Sequence, residues 1–207
     1  MPNELTLYTN PMSRGRIARW MLEETGASYD VEVLTFDDSI RSAAYRAVNP
    51  MAKVPAIRHG DVVVTEAAAI CAYLADAFPD AGLAPPVRSR GTYYRWLFFG
   101  AGPFEAATVN KMIGVEVTPE QQGMVGYGTL ERVLDALEGV LEANTYVAGE
   151  AFSAADVYVG ANLNWGVNMM RTIEGRPAFA RYLGLLGERP ALTRANALDD
   201  ALAATLG

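Results

Sequence analysis

The hydrophobic and polar positions of the first 78 residues follow two periods in alternation. Four short segments show apolar–polar alternation or runs of β-branched residues, and we predict strands at 4–9, 29–34, 54–58 and 62–65. Two segments between these strands and a third after the last strand have helical patterns, and we predict helices at 14–25, 37–47 and 67–78. The order β-α-β-α-β-β-α predicts a small sheet covered by helices.

Residues typical of helix ends support these boundaries. Ser13 stands at the N-cap position before the first helix, and Gly26 stands where a left-handed C-terminal residue belongs. Glu66 and Ala67 open the third helix, and Pro79 ends it because proline lacks the amide donor that the helix needs. The first and third helices are therefore the better defined ones.

The second half of the chain has a helical pattern throughout. After a proline- and glycine-rich linker, the pattern predicts five helices at 88–114, 119–144, 153–172, 177–188 and 190–198. The first of them should bend at Gly100–Pro103, where a backbone donor is missing. We therefore expect an α/β domain over residues 1–78, a linker over 79–87 and an all-helical domain over 88–207.

Two local patterns refine the helical half. Ser153 and Asp156 form a Ser-x-x-Asp capping box, which predicts a structural helix start. Gly123, Gly126 and Gly128 fall within the predicted helix at 119–144, where they would allow close helix packing. No strand precedes these glycines, so they do not form a phosphate-binding loop.

Composition and charge exclude several function classes. The chain of 207 residues has 51% hydrophobic and 20% charged residues, which is typical of a globular protein with a sizeable core. The net charge of −7 is spread over both halves and argues against nucleic-acid binding. One cysteine excludes an intramolecular disulfide, and no His/Cys/Asp spacing predicts a metal site. Without a leader-like pattern or an apolar run of about 18 residues, we expect a cytoplasmic protein that does not enter membranes.

Residues 49–73 combine features of a docking site. Pro55 removes a backbone donor and belongs at a strand start, and a cis Val54–Pro55 bond would leave the backbone groups of Val54 free to pair with an extended ligand. Glu66 and Ala67 start a helix, and a helix start offers unpaired amides to an anion. The segment therefore predicts a strand-like docking edge next to a carboxylate-binding corner.

The chain as a whole resembles the cytosolic glutathione transferases. The order and spacing of four motifs support the resemblance: Asn49-Pro50 with Lys53-Val54-Pro55-Ala56-Ile57, Thr65-Glu66-Ala67-Ala68-Ala69-Ile70 with Tyr73-Leu74, Tyr146-Val147-Ala148-Gly149-Glu150 before Phe152-Ser153-Ala154-Ala155-Asp156-Val157, and Arg189-Pro190-Ala191. The resemblance implies a thioredoxin-like N-terminal domain followed by an all-α helical-bundle C-terminal domain. It also implies a homodimer.

The resemblance implies conjugation of the thiolate of glutathione, a co-substrate, to an apolar electrophile, with reduction of peroxides as a second activity. A non-enzymatic binding or regulatory member of the family is the alternative. The family usually has a serine where this chain has Ala67, so one hydroxyl donor to the peptide carboxylate is missing. The expected glutathione-binding residues are Asn10, Arg41, Lys53, Val54, Pro55, Glu66 and Ala67.

Ser13 is the expected thiolate-stabilising residue. It lies at the start of the first helix, and Pro11-Met12-Ser13 resembles the Pro-x-Ser of serine-type family members. Its hydroxyl would donate a hydrogen bond to the thiolate, unless it serves only as an N-cap. Tyr8 and Arg14 are the alternatives, and core or surface packing is the more natural role for Tyr8. Cys71 lies inside a helix, which argues against a cysteine-type enzyme.

The predicted helix at 88–114 has more aromatic residues between positions 93 and 104 than the buried face of one helix can hold. Packing in the core accounts for most of them, and we expect the remainder to line an apolar cleft for the electrophile. The residues predicted to form this acceptor pocket are Tyr94, Phe98, Phe104, Asn110 and Trp165.

Overall fold

The structure, a computed structural model, describes residues 4–37 and 39–206. Their contacts divide into two units. One comprises the chain up to Leu83 together with the chain from Arg189 onward, and the other comprises Ala84–Glu188. The first boundary lies inside the segment 79–87 that the sequence predicts as a linker.

The first unit is built on a four-stranded sheet. Its strands are β1 (Leu5–Thr9), β2 (Asp30–Val33), β3 (Ala56–His59) and β4 (Val62–Thr65). They lie in the order β2-β1-β3-β4, with β2 parallel to β1 and with β3 antiparallel to both β1 and β4.

The described helices follow the predicted order with several changes in length. They are α1 (Gly15–Thr25), α2 (Ala43–Val48), α3 (Ala67–Ala77), α4 (Gly91–Phe99), α5 (Glu105–Met112), α6 (Leu130–Ala143), α7 (Ala154–Asn164), α8 (Pro177–Gly187) and α9 (Pro190–Leu206). Among the described residues, no helix is long and apolar enough to cross a membrane.

Both faces of the sheet are covered in the first unit. Helices α1 and α3 pack on one face, where Leu5, Leu7 and Ile57 are buried. A second cluster contains Tyr8, Leu34, Ile40, Tyr45 and Ala56. This arrangement confirms the predicted α/β fold, and the alternation of Leu5 and Leu7 is its clearest sequence signal.

Helix α2 is shorter than predicted and begins at Ala43, because the Ser42 hydroxyl accepts a hydrogen bond from the Tyr45 amide and caps it there. The predicted helix at 37–47 also includes Asp38, which lies outside the described residues. The start of α1 was predicted one residue too early. The helix begins at Gly15 with Arg14 at the N-cap position, whereas Gly26 adopts the predicted left-handed conformation with φ of 70°.

The predicted helix at 119–144 is wrong over its first part. Residues 115–129 form turns and irregular loop, and α6 begins only after Thr129, whose hydroxyl accepts from the Arg132 amide at 3.2 Å. Gly123, Gly126 and Gly128 lie in this non-helical segment, and Gly128 has a φ of +66°. Three glycines in six residues oppose helix formation, since each costs about 1 kcal/mol relative to alanine.

The last helix differs from prediction in length and in placement. Helix α9 runs to Leu206 and groups with the first unit, whereas the sequence placed it in a helical domain at 88–207. Among the described residues, three ion pairs join it to α1, namely Arg16–Asp200, Arg19–Asp199 and Glu23–Arg194, and Arg189 just before α9 pairs with Glu24. These partners are more than 160 positions apart in sequence, so no local pattern reveals them.

The second unit contains the predicted capping box, and its predicted helix at 88–114 is interrupted near Pro103. A π-helical segment at Gly100–Phe104 contains Pro103 and separates α4 from α5. At the start of α7, the Asp156 carboxylate accepts from the amides of Ser153 and Val147, each at 2.9 Å, and the box with Ser153 is complete. Tyr182 also donates its hydroxyl to Asp156 at 2.9 Å, which joins α8 to this helix start.

Candidate functional site

The strand register brings three predicted site segments to one edge of the sheet. Tyr8 lies opposite Ala56, and Ala56 lies opposite Thr65. Because β3 is antiparallel to its neighbours, the end of β1, the start of β3 and the end of β4 meet at this edge. The segments 10–14, 54–55 and 66–67 therefore lie side by side, although they are far apart in sequence.

The turn between β1 and α1 holds Ser13 in a defined position. Its hydroxyl oxygen donates to the carbonyl oxygen of Asn10 at 2.7 Å and accepts from the amide of Gly15 at 2.9 Å. The Ser13 amide also donates to Asn10, at 3.1 Å. Turning the hydroxyl towards a thiolate exchanges a neutral hydrogen bond for a charge-assisted one, which is about twice as strong. The Gly15 amide can continue to donate to Ser13 during this exchange.

Gly15 permits the close approach of α1 to the end of β1. A Cβ atom at this position would lie 1.9 Å from Thr9 Oγ1, 3.0 Å from Ser13 Oγ and 3.1 Å from the carbonyl oxygen of Asn10. Thr9 is fully buried, and its hydroxyl has no hydrogen-bond partner in the part of the chain that the structure describes. The absence of a side chain at Gly15 thus sets the geometry around the Ser13 hydroxyl.

The two alternatives to Ser13, Tyr8 and Arg14, and the glutathione-binding candidate Asn10 have different environments. Tyr8 is buried in the cluster with Tyr45, and its hydroxyl accepts from Arg58 Nε at 3.3 Å. Asn10 is buried, donates to the Leu34 carbonyl at 2.7 Å and accepts from the Met12 amide at 2.9 Å. Arg14 is exposed. These contacts favour Ser13 over Tyr8 and give Asn10 a role in shaping the turn.

The docking segment before β3 is firmly anchored. The Val54–Pro55 peptide bond is cis, as the resemblance implies. The carbonyl oxygen of Lys53 accepts from the Tyr45 hydroxyl at 2.6 Å and from Asn49 Nδ2 at 2.8 Å. No hydrogen bond occupies the backbone N–H or C=O of Val54 within residues 4–37 and 39–206. The edge that the sequence predicts is therefore available to an extended ligand.

Burial changes the pKa of Tyr45, which donates to the Lys53 carbonyl. It raises the pKa of the Tyr45 hydroxyl to about 12, because the charged phenolate would lie in the apolar cluster with Tyr8. The neutral hydroxyl therefore persists as a donor to Lys53 through the physiological pH range.

The start of α3 provides the second part of the docking site. Glu66 is exposed at the N-cap position with a φ of 66°, and Ala67 is the first helical residue. Among the described residues no side chain caps this helix, so its first amides are available to an anion. The first amides of α1 are instead used within the turn, by Ser13 and Arg14. A carboxylate therefore has its better site at α3.

Two exposed cations, Arg41 and Lys53, lie in loops that end at the same edge of the sheet. Cys71, by contrast, is fully buried within α3, and burial raises the pKa of its thiol well above the usual value. This agrees with the prediction that Cys71 is not a reactive residue.

The predicted acceptor residues in the second unit have unequal exposure. Tyr94 and Phe98 are 40% and 68% exposed, and Trp165 is half-buried. Phe104 is completely buried, so its predicted placement in the acceptor pocket is corrected to a core position. Asn110 donates to the Tyr127 hydroxyl at 2.8 Å.

An open groove of about 670 Å³ also lies on the second unit. The groove includes Asn164, Asn168, Arg176 and Leu183, and within the described residues it contains none of the five predicted acceptor residues.

Sequence reasoning missed several residues that build the site. Tyr45 and Asn49 anchor Lys53, and Gly15 sets the packing beside Ser13. The only sequence signal was Asn49-Pro50, which contributed to the family resemblance without a stated role. Gly15 gave no signal, because its φ is ordinary and its function depends on a contact with Thr9.

Comparisons with known proteins give a consistent result. The family model described as the glutathione S-transferase N-terminal domain matches residues 3–76, and the model described as the C-terminal domain matches residues 95–185. Glutathione S-transferase GstA of Escherichia coli O157:H7 is 32% identical over 149 residues, covering 70% of this chain and 73% of that protein.

Solved structures extend the similarity over nearly the whole chain. A glutathione transferase from Methylococcus capsulatus has a TM-score of 0.77 at 29% identity and covers 95% of this chain and 99% of its own. A sphingomonad glutathione S-transferase complexed with glutathione has a TM-score of 0.76 at 29% identity and covers 94% of this chain and 98% of its own.

Proposed function

Because this chain belongs to the glutathione S-transferase family and is a glutathione transferase with glutathione as its co-substrate, we propose that it ionises the bound thiol with the Ser13 hydroxyl. The observation that supports this role most directly is the meeting of the Ser13 turn, the Val54–Pro55 segment and the start of α3 at one edge of the sheet. A serine-type enzyme follows from this assignment.

Each part of the tripeptide matches a different part of this edge. The backbone of Val54 pairs with the extended cysteinyl unit, and the amides at the start of α3 bind the γ-glutamyl carboxylate beside Glu66. Arg41 and Lys53 are the cations for the glycyl carboxylate. Ala67 offers an amide without a hydroxyl, so glutathione should bind more weakly than to a site with serine there.

The chemistry requires a thiolate at neutral pH. A free thiol with a pKa of about 8.5 is only a few per cent ionised at about pH 7. One charge-assisted hydrogen bond contributes about 1.5–3 kcal/mol, which corresponds to about one or two pKa units. Ser13 can supply this bond, and the thiol proton passes to solvent. The sulfur then attacks the electrophilic carbon, and the leaving group departs with its bonding electrons.

The second unit supplies the apolar contacts for the electrophile in this proposal. Tyr94 and Phe98 are the exposed aromatic residues of α4 and are the best candidates. We further propose a cytoplasmic homodimer, and reduction of organic peroxides by the same thiolate as a second activity. Light scattering in solution tests the dimer.

A paired binding and turnover measurement tests the proposed function. Calorimetry should show glutathione binding, and a generic aryl halide should be conjugated at a rate that increases as the bound thiol ionises. Binding without conjugation or peroxide reduction would instead indicate a non-enzymatic binding protein, the outcome that Ala67 favours. The absence of glutathione binding would refute the docking site.

A further inference from the structure

The Arg16 side chain joins the catalytic turn to the last helix. Its Nε donates to the carbonyl oxygen of Pro11 at 2.7 Å, and its Nη2 lies 2.7 Å from Asp200 Oδ1 on α9. Pro11 is buried and lies two residues before Ser13 in the same turn. One guanidinium thus contacts both the backbone of the turn and a residue 184 positions away in sequence.

The geometry of these contacts restrains the turn. The guanidinium presents its N–H groups in a rigid planar fork, so fixing one N–H fixes the direction of the others. The Pro11 carbonyl is one residue away from Asn10, whose carbonyl holds the Ser13 amide and hydroxyl. A shift of Pro11 would therefore change the position from which Ser13 donates its hydrogen bond.

Helix α9 is itself held in register on α1. Beside Arg16, the buried Arg19 contacts the buried Asp199 at 2.7 Å, and further along Arg189 binds Glu24 through two nitrogens at 2.6 and 2.7 Å. Bidentate and buried contacts of this kind have strong geometric preferences. Asp200 is therefore presented to Arg16 from a fixed position.

We propose that Arg16 is a positioning residue for the thiolate-stabilising hydroxyl, with Asp200 as its anchor, so that the last helix of the chain tunes the reactivity of bound glutathione. The inference rests on the proposed role of Ser13. Arg16 and Asp200 are partly exposed, with side-chain accessibilities of 30% and 69%, and an exposed ion pair adds little to stability. Loss of the contact should therefore change the reactivity of the thiol more than the stability of the fold.

The chain offers a closely matched control for this contact. Arg194 also belongs to the ion pairs between α1 and α9, and it binds the Glu23 carboxylate at 3.1 Å and the Glu23 carbonyl at 3.2 Å. Its contact with Glu23 lies near the C-terminal end of α1, away from the turn that contains Ser13. Arg16→Met and Arg194→Met therefore remove similar contacts from the same helix pair, but only the first contact reaches Pro11.

The experiment titrates the thiol of glutathione bound to the parent, Arg16→Met, Asp200→Ala and Arg194→Met, using the ultraviolet absorbance of the thiolate. We expect Arg16→Met to raise the pKa of the bound thiol by about half a unit and to lower kcat/KM near neutral pH about threefold. Asp200→Ala should cause a smaller rise, and Arg194→Met none. The dissociation constant of glutathione should not change in any of them.

A second background separates positioning from a general loosening of α1. In Ser13→Ala, adding Arg16→Met should raise the thiol pKa no further, because the hydroxyl on which Arg16 acts is already gone. Three results would overturn the inference and leave the proposed function intact. They are an unchanged thiol pKa in Arg16→Met, an equal rise in Arg194→Met, and an additive rise in the double variant. A parent enzyme that fails to ionise glutathione would overturn the proposed function itself, and this inference with it.

Discussion

Replacing Gly15 with alanine should destabilise the protein, although alanine is the better helix former. Gly15 is the first residue of α1, and its replacement in an unobstructed helix would gain up to about 1 kcal/mol. The new Cβ would lie 1.9 Å from Thr9 Oγ1, whereas ordinary contacts begin near 3.4 Å. Either helix and strand must move apart by more than an ångström, or the buried Thr9 side chain must leave its rotamer.

The size of the effect follows from these opposing contributions. Inserting a methyl group into a packed core costs about 1–3 kcal/mol, and the helix-propensity gain offsets part of it. We expect Gly15→Ala to lose about 1–2 kcal/mol of unfolding free energy. Because the Cβ would also lie 3.0 Å from Ser13 Oγ, conjugation activity should fall as well.

Substitutions at Thr9 identify the cause. Thr9→Ala removes the obstructing atom, so the double variant Thr9→Ala/Gly15→Ala should be more stable than the sum of the single effects predicts. Thr9→Val keeps an atom at that place, so Thr9→Val/Gly15→Ala should not recover the stability lost in Gly15→Ala. Replacing the unpartnered hydroxyl should by itself cost little. Urea unfolding measures these variants, and a Gly15→Ala protein at least as stable as the parent would refute the packing argument.

Two further predictions concern stability. Asp156→Ala should lose about 3–5 kcal/mol of unfolding free energy in urea, because the Val147 and Ser153 amides and the Tyr182 hydroxyl lose their buried acceptor. A loss below about 1 kcal/mol would contradict this prediction. Tyr45→Phe should cost about 1 kcal/mol at neutral pH. The pKa of Tyr45 is about 12 in the folded protein and about 10 in the unfolded chain, so the parent should lose stability as the pH rises above 10. Tyr45→Phe should lose less stability over the same range. An equal decrease of unfolding free energy with pH in both proteins would contradict this prediction.

Local patterns predicted the parts of the fold that short-range physics controls. Alternating Leu5 and Leu7 marked β1, and Ser153 with Asp156 marked the start of α7. Pro55 marked the docking edge, since a residue without an amide donor has few positions in a sheet. These features depend on neighbours within a few residues, so they can be read from the chain directly.

The remaining features depend on contacts between distant residues. The pairing of Arg16 with Asp200 and the packing of Thr9 on Gly15 follow only once α9 lies on α1 and α1 lies on β1. The helix predicted at 119–144 was too long because the prediction gave more weight to the spacing of apolar residues than to Gly123, Gly126 and Gly128. In the site, Ser13 was identified by resemblance, but its two hydrogen bonds could not be read from the sequence.

The pKa of the glutathione thiol on the enzyme, with and without the Ser13 hydroxyl, tests the central claim most directly. In the parent, the bound thiol should titrate about one to two units below free glutathione, and in Ser13→Ala the value should return upward by about one unit with little change in glutathione affinity. A bound thiol that titrates at the same pH in the parent and in Ser13→Ala would show that another group stabilises the thiolate.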